Sequence, residues 1–320
     1  MPWPTRGGTS LRRRLGVYEM SDRDNIIELA SADQRVGVVP AVGGGLVYWR
    51  RRRGSTWLDI LRPATLDGLT HCDPLDLASF RLVPYSNRIR NGRFTFNGQA
   101  ITLPLNFGHH PHSIHGHGWQ ALWDEVERTP SRVTLLYCHS ADAWPFDYEA
   151  RETIELTRSG ISMTLSLRNL ARRPMPAGLG FHPYFPRASD ARLKAQVDGV
   201  WLADDDVMPT TLSTLPPRWD MTVGSLVGEM ACDNLFTGWS RTAIVEWPAD
   251  RVRLHIEAGD LFRYLVVYAP MNESFFCVEP VSHLTDAFNL AAEGANDTGM
   301  RVLEAGQLLS GTVRFRVELA

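Results

Sequence analysis

The sequence predicts an all-β fold, a sandwich or a barrel, and three observations predict it. Apolar and polar residues alternate with period two: Ile161, Met163, Leu165 and Leu167 are interleaved with Ser162, Thr164, Ser166 and Arg168. Such alternation puts one face of a strand in a core and the other in water. Turn signals recur at roughly ten-residue intervals, as a chain of short strands requires. No window of 12 or more residues carries a clean helical stripe, so the chain holds few helices of any length.

Residues 1–23 read as a disordered extension. They hold Arg6, Arg12, Arg13 and Arg14 with Gly7 and Gly8, and no apolar segment that would make a secretory signal. From residue 24 to 320 no Gly/Ser linker or charge run divides the chain, so a single β domain is expected there. Gly43-Gly44-Gly45 lacks the Gly-Lys-Ser/Thr of a phosphate-binding loop and reads as a turn between strands. Ser86 to Gly92 breaks the alternation a second time. Phe94-Thr95-Phe96-Asn97-Gly98-Gln99-Ala100-Ile101 is a hairpin, because Asn-Gly suits the positive φ angles of a two-residue turn. Arg158-Ser159-Gly160 separates two further strands. Val252, Leu254 and Ile256 alternate, as do Val313, Phe315, Val317 and Leu319. Phe275-Phe276-Cys277-Val278 is four apolar residues in succession, the mark of a strand buried on both faces.

Between Asn106 and Gly118 the chain reads NFGHHPHSIHGHG, with five of its ten histidines: His109, His110, His112, His115 and His117. Gly108, Gly116, Gly118 and Pro111 make this a shaped loop. Imidazole trades protons near neutral pH, so such a loop is a metal nest or a polar binding surface. A metal nest built on His115-x-His117 would want a glutamate about five residues further on. The next acidic residues, Asp124 and Glu125, come too late.

Composition narrows the classes. Hydrophobic content of 44% and charged content of 22% are those of an ordinary globular protein. A net charge of −3 gives no attraction to nucleic acid or an anionic membrane, and no apolar run is long enough to span a bilayer. Lys194 is the only lysine and lies in an ordinary strand pattern, which leaves Schiff-base chemistry without a carrier. Cys72, Cys138, Cys232 and Cys277 show no metal-ligand spacing, so four free thiols in a reducing cytoplasm are expected.

Four positions outside the histidine loop could carry chemistry. Glu279 ends the apolar run before Pro280; partial desolvation there raises a carboxyl pKa and suits it to accept protons. His182 lies in Gly180-Phe181-His182-Pro183-Tyr184-Phe185, an imidazole among aromatics that would also pack against a sugar. Taken singly, the first reads equally as a structural partner of an arginine and the second as a core histidine. Arg88 follows Asn87 in a loop, and Asp233 lies in Cys232-Asp233-Asn234-Leu235-Phe236; taken singly they read as a solvated charge and a turn residue.

Together these segments resemble the aldose 1-epimerase (mutarotase) family over roughly residues 25–319. The resemblance rests on Asn87-Arg88-Ile89 with Gly92-Arg93-Phe94, on Asn106 with Ile114-His115-Gly116, on Trp144 to Tyr148, on Gly180 to Phe185, on Asp233 to Phe236, and on Val278-Glu279-Pro280 with Asp286-Ala287-Phe288-Asn289. It implies a large antiparallel β-sandwich with a sugar cleft, Glu279 as general base and His182 as general acid. It implies that Arg88, Asn87 and His115 hold the sugar and that Asp233 accepts bonds from hydroxyls. A monosaccharide substrate, no metal or organic cofactor, and a monomer or homodimer are expected. His117 stands where the family has a second glycine, and Pro186-Arg187 where galactose-type members continue with Asn-Leu; His117 is therefore expected to contact the sugar and set specificity. Two other functions fit the same residues: a mutarotase for a phosphorylated or sulfonated sugar, using Arg88, Arg90, Arg93 and Arg187, and a carbohydrate-binding sandwich without catalysis.

The absence of metal-ligand spacing generates a first prediction: catalytic activity survives exhaustive chelation. Loss on chelation, restored by one divalent ion, would overturn it.

Overall fold

The structure, a computed structural model, describes residues 26–319; the expected N-terminal extension lies outside the described residues. Two large antiparallel sheets dominate. The first has eleven strands. From its interior to one edge it runs, in spatial order, Leu46–Arg53, Ser79–Leu82, Gly180–Pro186, Phe275–Val281, Tyr264–Ala269, Cys232–Thr237, Gly199–Ala203 and the edge strand Pro209–Thr214. The second has nine, centred on Arg132–His139, Tyr148–Thr157, Gly160–Asn169, Leu308–Leu319, Val252–Ala258 and Thr242–Trp247. Aromatic contacts close the space between them: Trp49 meets Phe315 at 6.3 Å between ring centroids, and Phe185 meets Trp247 at 6.4 Å.

The local patterns become the expected elements. Gly160–Asn169 pairs with Tyr148–Thr157 and with Leu308–Leu319, its apolar residues buried on one face. Arg93–Phe96 and Gln99–Thr102 form the hairpin, with Asn97 and Gly98 at φ of 48° and 77°. Phe275–Val281 is buried on both faces. The three α-helices found among the described residues, Leu66–His71, Val227–Met230 and Ala287–Ala292, are too short to leave a stripe in the sequence. None is long and apolar enough to cross a membrane.

The triple glycine does form a turn, and one of its members is required by close approach: a Cβ on Gly44 would lie 2.1 Å from the Arg81 Nη1 atom. Arg81 points from Ser79–Leu82 into the space between the sheets. It donates to the Gly43 carbonyl, pairs with Glu152 of the second sheet, and lies 4.7 Å from the centroid of Trp123. Both charged side chains are almost wholly buried. A buried pair of this kind contributes little over apolar residues, but removing one partner strands the other.

Arg81→Leu is therefore predicted to destabilise the fold by about 3–5 kcal/mol, measured by denaturant unfolding. The double variant Arg81→Leu with Glu152→Leu should recover most of the loss. A single variant of near-normal stability would show that the pair carries no such constraint.

Candidate active site

Strand register builds the floor of a cleft on the outer face of the eleven-stranded sheet. Phe80 pairs with His182. Gly180 pairs with Val281 and Tyr184 with Cys277, a register that sets His182 across from Glu279. Further along, Cys277 pairs with Tyr268 and Tyr268 with Asp233. Phe181 and Phe185 turn inward, where Phe181 meets Phe262 at 5.7 Å, so His182 and Tyr184 turn outward. Two rows result on one face: Phe80, His182 and Glu279, then Tyr184, Cys277, Tyr268 and Asp233. Pro183 and Pro280 directly follow His182 and Glu279. Neither has an N–H to donate, and the ladder between these two strands is interrupted beside them.

The His182 ring is held between Phe80 and Tyr184, at centroid distances of 4.6 and 4.7 Å. Its Nε2 lies 3.3 Å from Glu279 Oε1. Behind Tyr184 stands Arg62, 4.0 Å above the ring, its Nη2 bonded at 2.6 Å to each of the Leu75 and Leu77 carbonyls.

Two loops cover the floor. Arg88–Ile89 pairs with Ser113–Ile114. Asn87, His115 and Gly116 adopt positive φ of 55°, 60° and 69°, so neither strand continues. Only glycine fits at 116, where a Cβ would lie 2.3 Å from the Val83 carbonyl oxygen. The Asn106 carboxamide clasps this segment, accepting from Ile114 N–H at 2.8 Å and donating to the Ile114 carbonyl at 2.7 Å. His115 Nδ1 accepts the Asn87 N–H at 3.1 Å, which leaves the ring proton on Nε2. The His115 ring meets His182 perpendicularly at 5.4 Å. Arg88 Nη1 donates to Asn87 Oδ1 at 3.0 Å, and Nη2 lies 3.8 Å from Asp233 Oδ2.

Burial sets the electrostatics. It pushes the Glu279 carboxyl well above the usual range, helped by Asp233 and opposed by Arg88. It pushes His182 down to about 3, with the charges of Arg62 and Arg88 acting in the same direction. His115 is driven well below the ordinary imidazole value by burial, then by His182 and Arg88. Asp233 is raised by burial and held back by Arg88; with 26% of its side chain exposed it faces the cleft opening. Each member of the His182–Glu279 pair is thus pushed toward its uncharged form, and the two titrate together.

Of the residues singled out in the sequence, Glu279, His182, His115, Arg88, Asn87 and Asp233 converge. His117 does not join them. Its ring stacks on His139 at 4.4 Å and 8°, and its Nδ1 lies 3.1 Å from the Tyr148 hydroxyl. The expectation that His117 contacts the sugar, drawn from its place at the family's second glycine, is not met by this geometry: positive φ at His115 and Gly116 turns the backbone and sends the His117 ring elsewhere. His109 is exposed, and His112 is buried with Nδ1 accepting from Asn91 N–H. Tyr184 and Cys277 were not singled out, although each lies two residues from a catalytic candidate, the spacing that shares a strand face. Tyr268 left no signal, since Tyr264–Ala269 is uniformly buried.

Among the described residues, two sets of three side chains bring potential ligand atoms within 4.8 Å: His182, Cys277 and Glu279, and His117, His139 and Asp142. Burial raises the Cys277 thiol well above its usual value, which keeps it protonated. The parallel rings of His117 and His139 direct their lone pairs side by side rather than toward one point. Neither set is preorganised for an ion.

The family model for aldose 1-epimerase matches residues 25–316. The chain is 28% identical over 285 residues to YphB of Escherichia coli K12, described as an uncharacterised protein, covering 86% of this chain and 93% of that one. It is 27% identical over 171 residues to galactose mutarotase of Rattus norvegicus, covering 52% and 48%. The crystal structure of a galactose mutarotase-like protein from Clostridium acetobutylicum matches with a TM-score of 0.80 at 20% identity, over 92% of this chain and 95% of that one.

The buried imidazoles generate a stability prediction. His283 is pushed down to about 4 by burial, so the folded state binds its proton less readily than the unfolded chain. Its contribution is intact above the ordinary imidazole value and is lost as pH falls through it. At pH 5 each such group costs about 2 kcal/mol, and His115 adds in the same sense. Glu279, Asp233 and Asp286, raised by burial, act oppositely and favour the fold at low pH, but His182 and His117, lowered by burial, join the first group and outweigh them. The thermal midpoint should fall clearly between pH 7 and pH 5; a flat profile would mean that these rings are not held neutral.

Proposed function

Because the chain belongs to the aldose 1-epimerase family, we propose that it interconverts the α and β anomers of a free, uncharged aldose by acid–base ring opening and reclosure. The observation that carries this reading is the 3.3 Å contact between His182 Nε2 and Glu279 Oε1 in a buried aromatic cleft. Ring opening removes the proton from O1 and delivers one to the ring oxygen, and both oxygens are borne by C1. A donor and an acceptor that serve them together must be neighbours. With the pair's shared proton moved onto His182, the ionised Glu279 takes the O1 proton as His182 gives its own to the ring oxygen. The aldehyde then turns about C1–C2 and recloses with the two roles exchanged. Each positioned transfer is worth about 10²–10⁴ in rate. Arg88 and His115 Nε2–H steady the developing charge, and Asp233 accepts from hydroxyls. Asn87, Trp201, Asp233 and Thr285 line a small recess beside them.

Charge favours a neutral sugar over a phosphorylated or sulfonated one. Arg88 is matched by Asp233, and Arg90 lies 3.6 Å from Asp286. Arg187 donates to the carbonyls of Pro270 and Gly228. A binding module without catalysis would have no use for a carboxylate and an imidazole sharing a buried proton.

Polarimetry of freshly dissolved α-anomers across a panel of aldoses is the direct test, and a protein that accelerates none of them removes this reading. Glu279→Gln should lower kcat by about 10²–10⁴ with little change in KM. His115→Asn should lose about 10² or more, while His117→Ala stays within a few-fold on every sugar. A dead His117→Ala beside a normal His115→Asn would reverse the assignment. Because the pair works with one shared proton, kcat/KM should fall on the alkaline side as the pair releases it, with that limb displaced upward from the usual carboxylate range. A profile that rises instead through that limb would exclude the shared-proton state.

A further inference from the structure

The segment Ser86 to Asn91 carries Arg88 over the cleft, and side chains from elsewhere in the sequence hold its backbone donors. Ser86 N–H donates to His283 Nε2 at 3.0 Å, and Asn87 N–H to His115 Nδ1 at 3.1 Å. Arg90 N–H donates to Asp286 Oδ1 at 3.0 Å, and Asn91 N–H to His112 Nδ1 at 3.0 Å. Three of these four acceptors are imidazoles, each able to accept only through an unprotonated nitrogen. The segment has little regular structure of its own: Asn87 and Asn91 sit at φ of 55° and 53°, and only Arg88–Ile89 forms a ladder. Residues in that region persist where the surroundings over-determine them.

His283 is itself fixed at both ring nitrogens, its Nδ1 donating to the Leu284 carbonyl at 2.7 Å. It is buried, and Gly178 makes room for it, since a Cβ there would lie 1.7 Å from His283 Cδ2. It also follows Glu279 on the same stretch of chain. Ser282 between them is bonded to Leu179 through its N–H at 2.9 Å and its Oγ at 2.8 Å. One anchored stretch thus carries both the carboxylate and the ring that holds the Arg88 segment.

We propose that His283, together with His112, is a positioning residue: by accepting the Ser86 and Asn91 N–H groups the two rings fix the segment at both ends and set the Arg88 guanidinium against Asp233 and the sugar. The kinetic consequence rests on the mutarotase reading above; the structural one does not. At 3.8 Å from the Asp233 carboxylate the Arg88 guanidinium is at the outer limit of an ion pair and is placed by its backbone more than by that contact, and small misplacements of a binding group cost rate out of proportion.

The test compares His283→Leu with His283→Gln, whose amide oxygen can replace the accepting Nε2. Amide hydrogen exchange on the intact protein reads the segment directly, and polarimetric kinetics read the consequence. His283→Leu should keep the wild-type circular dichroism, speed exchange across 86–91, and lower kcat/KM on the order of tenfold, mainly through KM. It should do no further harm in an Arg88→Ala background, and His283→Gln should recover both readouts. Unchanged protection of 86–91 in His283→Leu overturns the proposal. So does a kinetic loss of equal size whether or not Arg88 is present. If the wild-type protein accelerates no mutarotation, the functional reading fails alone, because exchange still reports whether His283 holds the segment. Should His283→Leu not fold, His112→Leu against His112→Asn, read at the Asn91 amide, decides the question in the same way.

Discussion

The cleft depends on one antiparallel pairing, Gly180–Pro186 against Phe275–Val281. That pairing places an imidazole and a carboxylate side by side on a buried face where neither is hydrated. Burial disfavours the charged form of each, raising the carboxyl and lowering the imidazole, so the two titrate as a pair. Phe80 and Tyr184 hold the imidazole plane, and Arg62 stands behind Tyr184 as a fixed positive charge that keeps His182 from ionising alone. The neighbouring strand Ser79–Leu82 shows what its two faces are for. Phe80 serves the cleft, and the next residue, Arg81, ties the back of the same strand to the second sheet through Glu152.

Histidine recurs in this protein, but its roles differ by which nitrogen is engaged. His115 accepts a backbone N–H at Nδ1 and so presents a donor at Nε2. His283 does the reverse, donating from Nδ1 and accepting at Nε2, and has nothing left to offer a ligand. His182 is defined by Glu279 and by the rings on either side. His117, stacked on His139 beside Tyr148, belongs to the packing at the edge of the second sheet. An imidazole becomes an acid, an anchor or a packing group according to its neighbours, since its ordinary pKa lies close enough to neutrality for any of them to decide its state.

The strands, the Asn-Gly hairpin and the doubly buried run before Glu279 were determined by the sequence alone, because alternation, turn chemistry and apolar runs are local properties of a chain. Glu279 and His182 were marked as candidates by their desolvating neighbours, but local sequence left a structural reading open for each, and only the resemblance implied that they act together. The tertiary structure alone decided which histidine of the loop joins them. Positive φ at His115 and Gly116, enforced where Gly116 meets the Val83 carbonyl, redirects a segment that a two-residue period would have kept on one face. It alone brought Tyr268 and Asp233 into the row of Tyr184 and Cys277, and it engaged Arg187 with two backbone carbonyls. Such contacts follow from strand register and loop path between distant segments, which no local pattern of residues encodes.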